Sequence, residues 1–498
     1  MGRKGSRWAL VGLTVLAWGL RVGLVWRTPL HADEALYGYW GLLIRRGWDP
    51  WLVGVTVYKP PLIPYLLAVS HFLLGRNPMA LRFWSLAAGV LLVPLTARLA
   101  RLLYGGTADG TVSALAAALF PGAIVLSGAG FTDLWMVMLG TAASVAVVSD
   151  RYVGAGFLAA LSLATKQSGL FFLPWTVVVG IVGLRAQDPA RPRRCWARFA
   201  LGYVGVVIAV LVWDGVRVAQ GATGFWATGM VGYGGLRMIW PQELRVRLLE
   251  WLDALRQLLG SWGLTVGLAV GMGLLVARAL TVASRTRDAL VDLLIVVASL
   301  GLLLVHWLWA FLVRVRYLLP LVPLLGVVVG RLWTWARSVE PFTRGPWARW
   351  ALMLLLILGL CWPLLHQDVG SAAGIDDAGQ YAGVEELAAA LRELGDAAPA
   401  SSEIVLYHHW LGWHYAYLLF DAPIHRAYWP TPAWLAEDIR VFGSSGERYI
   451  AFPAWESTAH VSRALEDIGY GLRPCLTVTR PDGTLAFTLY RILLEESG

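Results

Sequence analysis

The chain has 498 residues, of which 57% are hydrophobic and 15% charged, and its mean hydropathy of +0.60 lies outside the range of soluble globular proteins and fits a polytopic membrane protein. The formal charge of +9 is dispersed between apolar runs rather than gathered on one stripe, which argues against nucleic-acid binding and for membrane topology. The three cysteines, Cys195, Cys361 and Cys475, fall in a basic loop, an apolar span and the C-terminal region, a spread that suggests neither a disulfide framework nor a metal site.

The first apolar run, residues 8–26, holds one internal charge, Arg21. It is long enough to cross a hydrocarbon layer of about 30 Å as a helix. It is also too long, and lacks the small-residue cleavage site, for a removable signal peptide, and is expected to remain as an anchor. Directly after it, His31-Ala32-Asp33-Glu34 sets two adjacent carboxylates where the chain emerges on the far side of the bilayer. Residues 34–46 read as an amphipathic helix with Asp33 at its N-cap, and Tyr37, Trp40 and Trp48 suit the headgroup layer. The same outer loop, 27–79, carries Lys59 and the segment 60–75, which reads either as a further span or as a shorter interfacial helix.

Further apolar windows follow at 80–101, 111–127, 133–149, 152–165, 168–184, 199–219, 262–280, 289–312, 317–335 and 350–366, about eleven spans in all. If 60–75 does not cross, the basic loops with Arg3/Lys4/Arg7, Arg98/Arg101, Arg151, 185–198, Arg285/Arg287 and Arg337/Arg344 all fall on the cytoplasmic side. Eleven spans with the N-terminus inside and the C-terminus outside is therefore the expected topology. From about Gln367 the Leu-rich runs give way to Gly, Asp, Ala and Glu. There 384–394 and 456–468 read as helices and 403–407, 448–452 and 486–490 as short strands, which makes an extracytoplasmic α/β domain, 367–498, behind a transmembrane domain, 1–366. No internal repeat is present, which weighs against a repeat-built transporter.

On the outer face this topology gathers Asp33, Glu34, Asp133, Lys59, Lys166, Arg314 and Arg316. Asp33 as a general base would have to reach an acceptor hydroxyl, while Lys59, Arg314 and Arg316 suit a leaving phosphate. Each has a structural alternative: Asp33 and Asp133 as helix caps, Glu34 as a first-turn charge, the lysines as interfacial snorkelers and the arginines as headgroup anchors. Of the 41 basic residues only Lys4, Lys59 and Lys166 are lysine. The histidines His31, His71, His306, His408, His409 and His414 lack metal-ligand spacing. Taken alone, these residues support an outer-face site for an anionic, lipid-linked substrate.

The order of motifs resembles the polyprenyl-phosphate-dependent GT-C glycosyltransferases, in particular the bacterial relatives of dolichyl-phosphate-mannose protein mannosyltransferases and of the lipid A aminoarabinose transferase. The residues that carry the resemblance are Asp33-Glu34-Ala35-Leu36-Tyr37, Tyr58-Lys59-Pro60-Pro61-Leu62, Ala80-Leu81-Arg82, Thr132-Asp133, Thr165-Lys166-Gln167-Ser168-Gly169 and Arg316-Tyr317-Leu318-Leu319-Pro320. The resemblance implies a GT-C-like fold, Asp33 as catalytic base with Glu34 beside it, Asp133 organising the site, and Lys59 on the donor phosphate with Arg316, Tyr317 and Lys166 nearby. It departs from the family pattern at Tyr58, Leu36 and Gln167-Ser168.

The expected function is transfer of a sugar from a polyprenyl-phosphate donor to an acceptor hydroxyl at the outer face of the cytoplasmic membrane, and the resemblance implies inversion at the anomeric carbon. The acceptor is a lipid, a glycan or a protein. No metal ligand set is assigned and a divalent cation is left open as a cofactor. Besides donor and acceptor the partners are membrane lipids, with no nucleic acid. The rival reading is a transporter or flippase for a lipid-linked saccharide, for which Asp214, Arg217 and His306 are the intramembrane candidates.

Overall fold

The computed structural model describes residues 3–106, 108–183, 191–232, 237–281, 286–338, 346–366, 378–399 and 403–495. Arg185, Arg285, Arg344 and the domain boundary at Gln367 lie outside the described residues. The chain forms two compact units: Met1–Arg27 with Leu43–Ser371, and Thr28–Leu42 with Ala372–Gly498. The C-terminal unit thus includes a stretch of the loop that follows the first apolar helix.

The larger unit is helical. Five of its described helices are long and apolar enough to cross a membrane: Ser6–Arg27, Pro78–Tyr104, Arg193–Ala219, Trp262–Thr281 and Arg287–Leu308. Others are apolar but shorter, such as Asp133–Val148, Tyr152–Thr165 and Leu321–Ala336. Leu62–Leu74, in the segment the sequence left open, has 13 residues, about 20 Å of helix, well short of a hydrocarbon layer.

The window expected at 111–127 as one span is broken into Gly110–Leu119 and Pro121–Leu126. Pro121 has no N–H for the carbonyl of Ala117, four residues back, so the ladder fails there. Arg21 repairs it. Its guanidinium, fully buried, donates to Ala118 O at 3.1 Å, Ala117 O at 3.4 Å, Ala17 O at 3.0 Å and Ser127 Oγ at 3.2 Å. An arginine inside an apolar span thereby finds acceptors that the helix break has freed.

Two polar assemblies hold other parts of this unit. Arg331, 5% exposed, donates to Asp292 at 3.2 Å and to Asp288 at 3.2 Å, and Tyr104 Oη donates to Asp292 at 2.7 Å. In the loop before Lys59, Asp49 accepts the Val53 and Gly54 N–H groups, both at 2.8 Å. Tyr65 Oη donates to Pro50 O at 2.7 Å, and Arg217, paired with Asp214 at 3.0 Å, donates to Leu52 O at 3.1 Å. The loop before Lys59 is thus a fixed structure.

The C-terminal unit is built on a five-stranded sheet of order β2-β1-β3-β5-β4, with β1 Ile404–His408, β2 His425–Tyr428, β3 Glu447–Pro453, β4 Tyr470–Thr479 and β5 Leu485–Leu494. β2, β1 and β3 are parallel, and β5 pairs antiparallel with β3 and β4. Helices Pro432–Phe442 and Ala459–Glu466 cover it, and the core gathers Tyr407, Leu435, Ile439, Ile450 and Leu465. Helix Pro432–Phe442 begins with Thr431 Oγ1 accepting Trp434 N–H at 3.2 Å and Pro432 in the first turn, a sequence-legible start.

Residues 28–42 belong with this sheet. Leu30 is clasped at both ends: its N–H reaches Glu385 Oε1 at 3.0 Å, and its carbonyl accepts His414 Nε2–H at 3.0 Å. His31 and His414 both pack on the ring of Tyr381, at 5.9 and 4.6 Å. The helix here runs Ala32–Arg46, two residues earlier than its expected start at Glu34, and that corrects the capping assignment. His31, not Asp33, is the cap: its carbonyl accepts Ala35 N–H at 3.0 Å and its Nδ1 accepts Asp33 N–H at 3.0 Å. Tyr37 and Trp40, expected at the headgroup layer, are buried, whereas Trp48 is exposed.

Candidate active site

In the larger unit the ends of four elements converge. Asp133 opens helix Asp133–Val148, and Lys166 sits in the extended link between helix Tyr152–Thr165 and the 3-10 turn Gln167–Phe171. Their side chains pair at 2.5 Å and are 3% and 6% exposed. Asp133 therefore spends its carboxylate on a lysine 33 residues away rather than on a helix cap. Lys166 Nζ also stands 4.3 Å over the ring of Tyr317, in the 3-10 turn Val315–Leu318. Arg316 lies over Phe131 at 4.4 Å and beside Tyr317 at 5.6 Å. The structure thus brings together Asp133, Lys166, Arg316 and Tyr317.

Lys59 joins this group through its neighbour. Tyr58 O accepts Gln167 Nε2–H at 2.5 Å, which ties the loop of Lys59 to the residue after Lys166, and Lys59 Nζ is 5.0 Å from the Tyr58 ring with the residue 4% exposed. Gly229, in helix Phe225–Gly232, presses on the same joint: a Cβ there would lie 2.8 Å from Gln167 Nε2 and 3.2 Å from Tyr58 O. Only a glycine leaves that bond undisturbed.

Beside the cluster opens a cavity of about 540 Å³, whose polar lining includes Asp133, Lys166, Gln167, His306 and Tyr317. One wall is helix Arg287–Leu308, which contributes Leu294, Val297, Ala298, Gly301, Leu302 and Val305, a helical i, i+3, i+4, i+7 stripe. The facing wall includes Phe172, Trp175 and Val178 of helix Phe172–Gly183. The cavity is an apolar trough that meets one cation, Lys166, and one anion, Asp133, at its polar part. Such a shape suits a ligand with a hydrocarbon chain and a charged head.

His306, in the sequence an intramembrane candidate of the transporter reading only, is a residue of this cavity. It lines the cavity, with Trp251, Phe311 and Tyr317 rings at 5.2, 5.8 and 6.3 Å. Its helix end is held by Arg247, whose Nη2 donates to Trp309 O at 2.8 Å and Phe311 O at 2.7 Å. Asp214 and Arg217, the other intramembrane candidates of the transporter reading, pair with each other and hold the loop before Lys59 through Leu52. They brace a loop instead of lining the cavity.

Asp33 and Glu34 belong to the other compact unit. Both lie in the first turn of helix Ala32–Arg46, Glu34 fully buried and Asp33 partly exposed. Among the described residues no group of three or more His, Cys, Asp or Glu side chains converges as a metal would require.

No family model matches the chain. Over nearly its whole length it superposes on ArnT from Cupriavidus metallidurans bound to undecaprenyl phosphate, with a TM-score of 0.65 at 13% identity and coverage of 98% of each chain. The apo form of the same protein gives a TM-score of 0.63 at 15% identity, covering 99% of this chain and 98% of that one.

The chain has the ArnT fold.

The GT-C-like fold expected from the motifs, helices followed by a small α/β unit, is therefore the observed one; at this identity the ArnT likeness concerns the fold alone. In sequence, the chain is 27% identical over 220 residues to a polyprenol-phosphate-mannose–protein mannosyltransferase of Mycolicibacterium smegmatis, in two strains. That match covers 37% of this chain and spans only 42% of the length of those relatives.

Proposed function

We propose that the protein is an integral-membrane glycosyltransferase that moves a sugar from a polyprenyl-phosphate donor to an acceptor hydroxyl. The observation that carries this reading is the apolar trough lined at its polar part by the buried Asp133–Lys166 pair and the half-buried Tyr317, a place for an isoprenoid chain and its phosphate on one ArnT-like scaffold. The mannosyltransferase relative makes polyprenyl-phosphate mannose the first donor to test. The reaction runs at the outer face of the cytoplasmic membrane, with the N-terminus inside and the C-terminal unit outside.

In this reading Asp33 takes the proton of the acceptor hydroxyl, whose oxygen forms a bond to the anomeric carbon from the side opposite the phosphate. The carbon–oxygen bond to the phosphate breaks and its electron pair leaves with the lipid phosphate, which inverts the centre. Lys59 and Arg316 neutralise the charge that develops there, as preorganised cations in a site largely closed to water. Lys166 has three N–H donors; one is given to Asp133, and another serves the phosphate. Tyr317 and Asp133 fix the lysine's position, and Glu34 supports the turn that carries Asp33.

The test is lipid binding. Gly301 faces the trough and a Cβ there meets nothing within 4 Å, so Gly301→Trp should fold and fill the trough. Purified wild-type protein is expected to retain undecaprenyl phosphate, and Gly301→Trp to lose at least tenfold in affinity, about 1.4 kcal/mol. Equal retention by both would remove the trough from the account.

A further inference from the structure

The C-terminal unit has a cavity of its own, about 670 Å³, that the transfer chemistry does not use. It opens at the carboxyl ends of the parallel strands: His409 and Trp410 follow β1, Trp429 to Ala433 follow β2, and Phe452 and Glu456 close β3. Because the chain passes from β1 to β2 on one side and then to β3 on the other, β1 is where the strand order reverses. The crevice beyond the carboxyl ends at such a point is where open α/β sheets bind ligands.

The floor of this cavity is aromatic. Trp410 meets Trp429 edge-on at 5.4 Å and Phe452 at 5.4 Å. His409 donates through Nδ1 to Trp429 O at 2.8 Å and stacks on Tyr428 at 5.7 Å with the rings 15° apart. Trp429 Nε1 is buried without a hydrogen-bond partner among the described residues. The rim, by contrast, is charged. Glu456, Arg463 and Asp467 are exposed and their side chains make no hydrogen bond or ion pair with the described residues, so their donors and acceptors face the opening.

We propose that this cavity binds a saccharide. A pyranose is neutral, presents a face of C–H groups and carries hydroxyls around its edge. The face suits the Trp410 and His409 rings, and the hydroxyls suit two carboxylate acceptors and one guanidinium donor. A phosphate-bearing ligand would meet two carboxylates against a single arginine, and an acyl chain would strip water from all three charges without replacing it. The pocket gives the C-terminal unit a way to hold the glycan portion of an acceptor; that use rests on the transfer reading, whereas the binding does not.

The experiment uses the full chain in lipid nanodiscs without donor lipid, since maltoside detergents are themselves saccharides. Saturation-transfer NMR with mannobiose, chitobiose and maltose is expected to show binding of at least one, in the millimolar range or tighter. Arg463→Ala, Glu456→Gln and Trp410→Ala should each weaken it severalfold, with Arg463→Ala and Glu456→Gln on the exposed rim keeping the wild-type melting temperature. No binding of any of the three sugars, binding unchanged in the two rim variants, or displacement by an equal concentration of inorganic phosphate would overturn the proposal. Because donor lipid is absent, a failure of sugar transfer would leave this result readable.

Discussion

Lys166 and Asp133 form an ion pair at 2.5 Å in which both side chains are nearly closed to solvent, and the same ammonium lies 4.3 Å over the ring of Tyr317. Each charge is compensated only while the other is present. Asp133→Asn or Lys166→Met alone should therefore cost about 3–5 kcal/mol of stability. The double substitution should recover much of that loss while transfer activity stays absent. Thermal unfolding and transfer assays on the three variants check this; a double variant with wild-type activity would remove the pair from the site.

Arg21 answers the break at Pro121. With Arg21→Met the carbonyls of Ala117 and Ala118 lose their donors in an apolar surrounding, a loss of about 2–4 kcal/mol. Arg21→Lys should restore only part of it, because a single ammonium cannot span four acceptors as a guanidinium does. Melting temperatures in detergent, wild type against both variants, give the comparison.

Gly229 lies where the Tyr58–Gln167 bond crosses helix Phe225–Gly232. A Gly229→Val side chain would displace Gln167 and with it the backbone that carries Lys59, so transfer should fall about tenfold or more with little change in melting temperature. Gly232→Val, at a glycine with open space around it, is the control and should retain activity.

In the C-terminal unit, burial pushes the His414 imidazole down to about 3 and that of His408 down to about 4. Both groups are thus neutral when folded and take up protons on unfolding once the pH is below the ordinary histidine value of about 6.5. The stability they allow is fully present above that value. Each is expected to forfeit about 1.4 kcal/mol per pH unit as pH falls from there toward its folded value. Replacing His414 with Gln, which can still donate to Leu30 O, should flatten the acid side of the unfolding profile between pH 6.5 and 4, an interval of about the histidine range.

The helical body and the α/β tail of this molecule were legible in its sequence because long apolar runs read as helices, and because the tail shows helical and alternating periodicity. The missed parts had weaker local signals. β2 is four residues, HRAY, without alternation, and β4 carries Pro474 and exposed residues along an edge, so neither reads as a buried strand. The break at Pro121 was visible as a proline, yet its repair by Arg21 joins residues about a hundred positions apart. At the site, Asp133, Lys166, Arg316 and Tyr317 were found by motif and meet in space. Gly229 was not, and His306 stood out only as an intramembrane candidate of the transporter reading, because a lone histidine or glycine in an apolar run gains its role only from what packs beside it. Asp33 was read as a cap because Asp favours that position; His31 takes the capping place, since its ring reaches Asp33 N–H while Tyr381 packs against it.

Transfer from a lipid phosphate with Asp33 as base is open to direct measurement. The direct measurement is the rate at which the purified chain in nanodiscs moves labelled mannose from polyprenyl phosphate to an acceptor, in wild type and in Asp33→Asn, with undecaprenyl phosphate binding measured on both. Wild type should transfer the sugar, Asp33→Asn should lose at least about a hundredfold in rate, and both should bind the lipid equally. Full activity in Asp33→Asn would contradict the assignment of the base, and lipid movement across the bilayer without sugar transfer would contradict the enzyme itself.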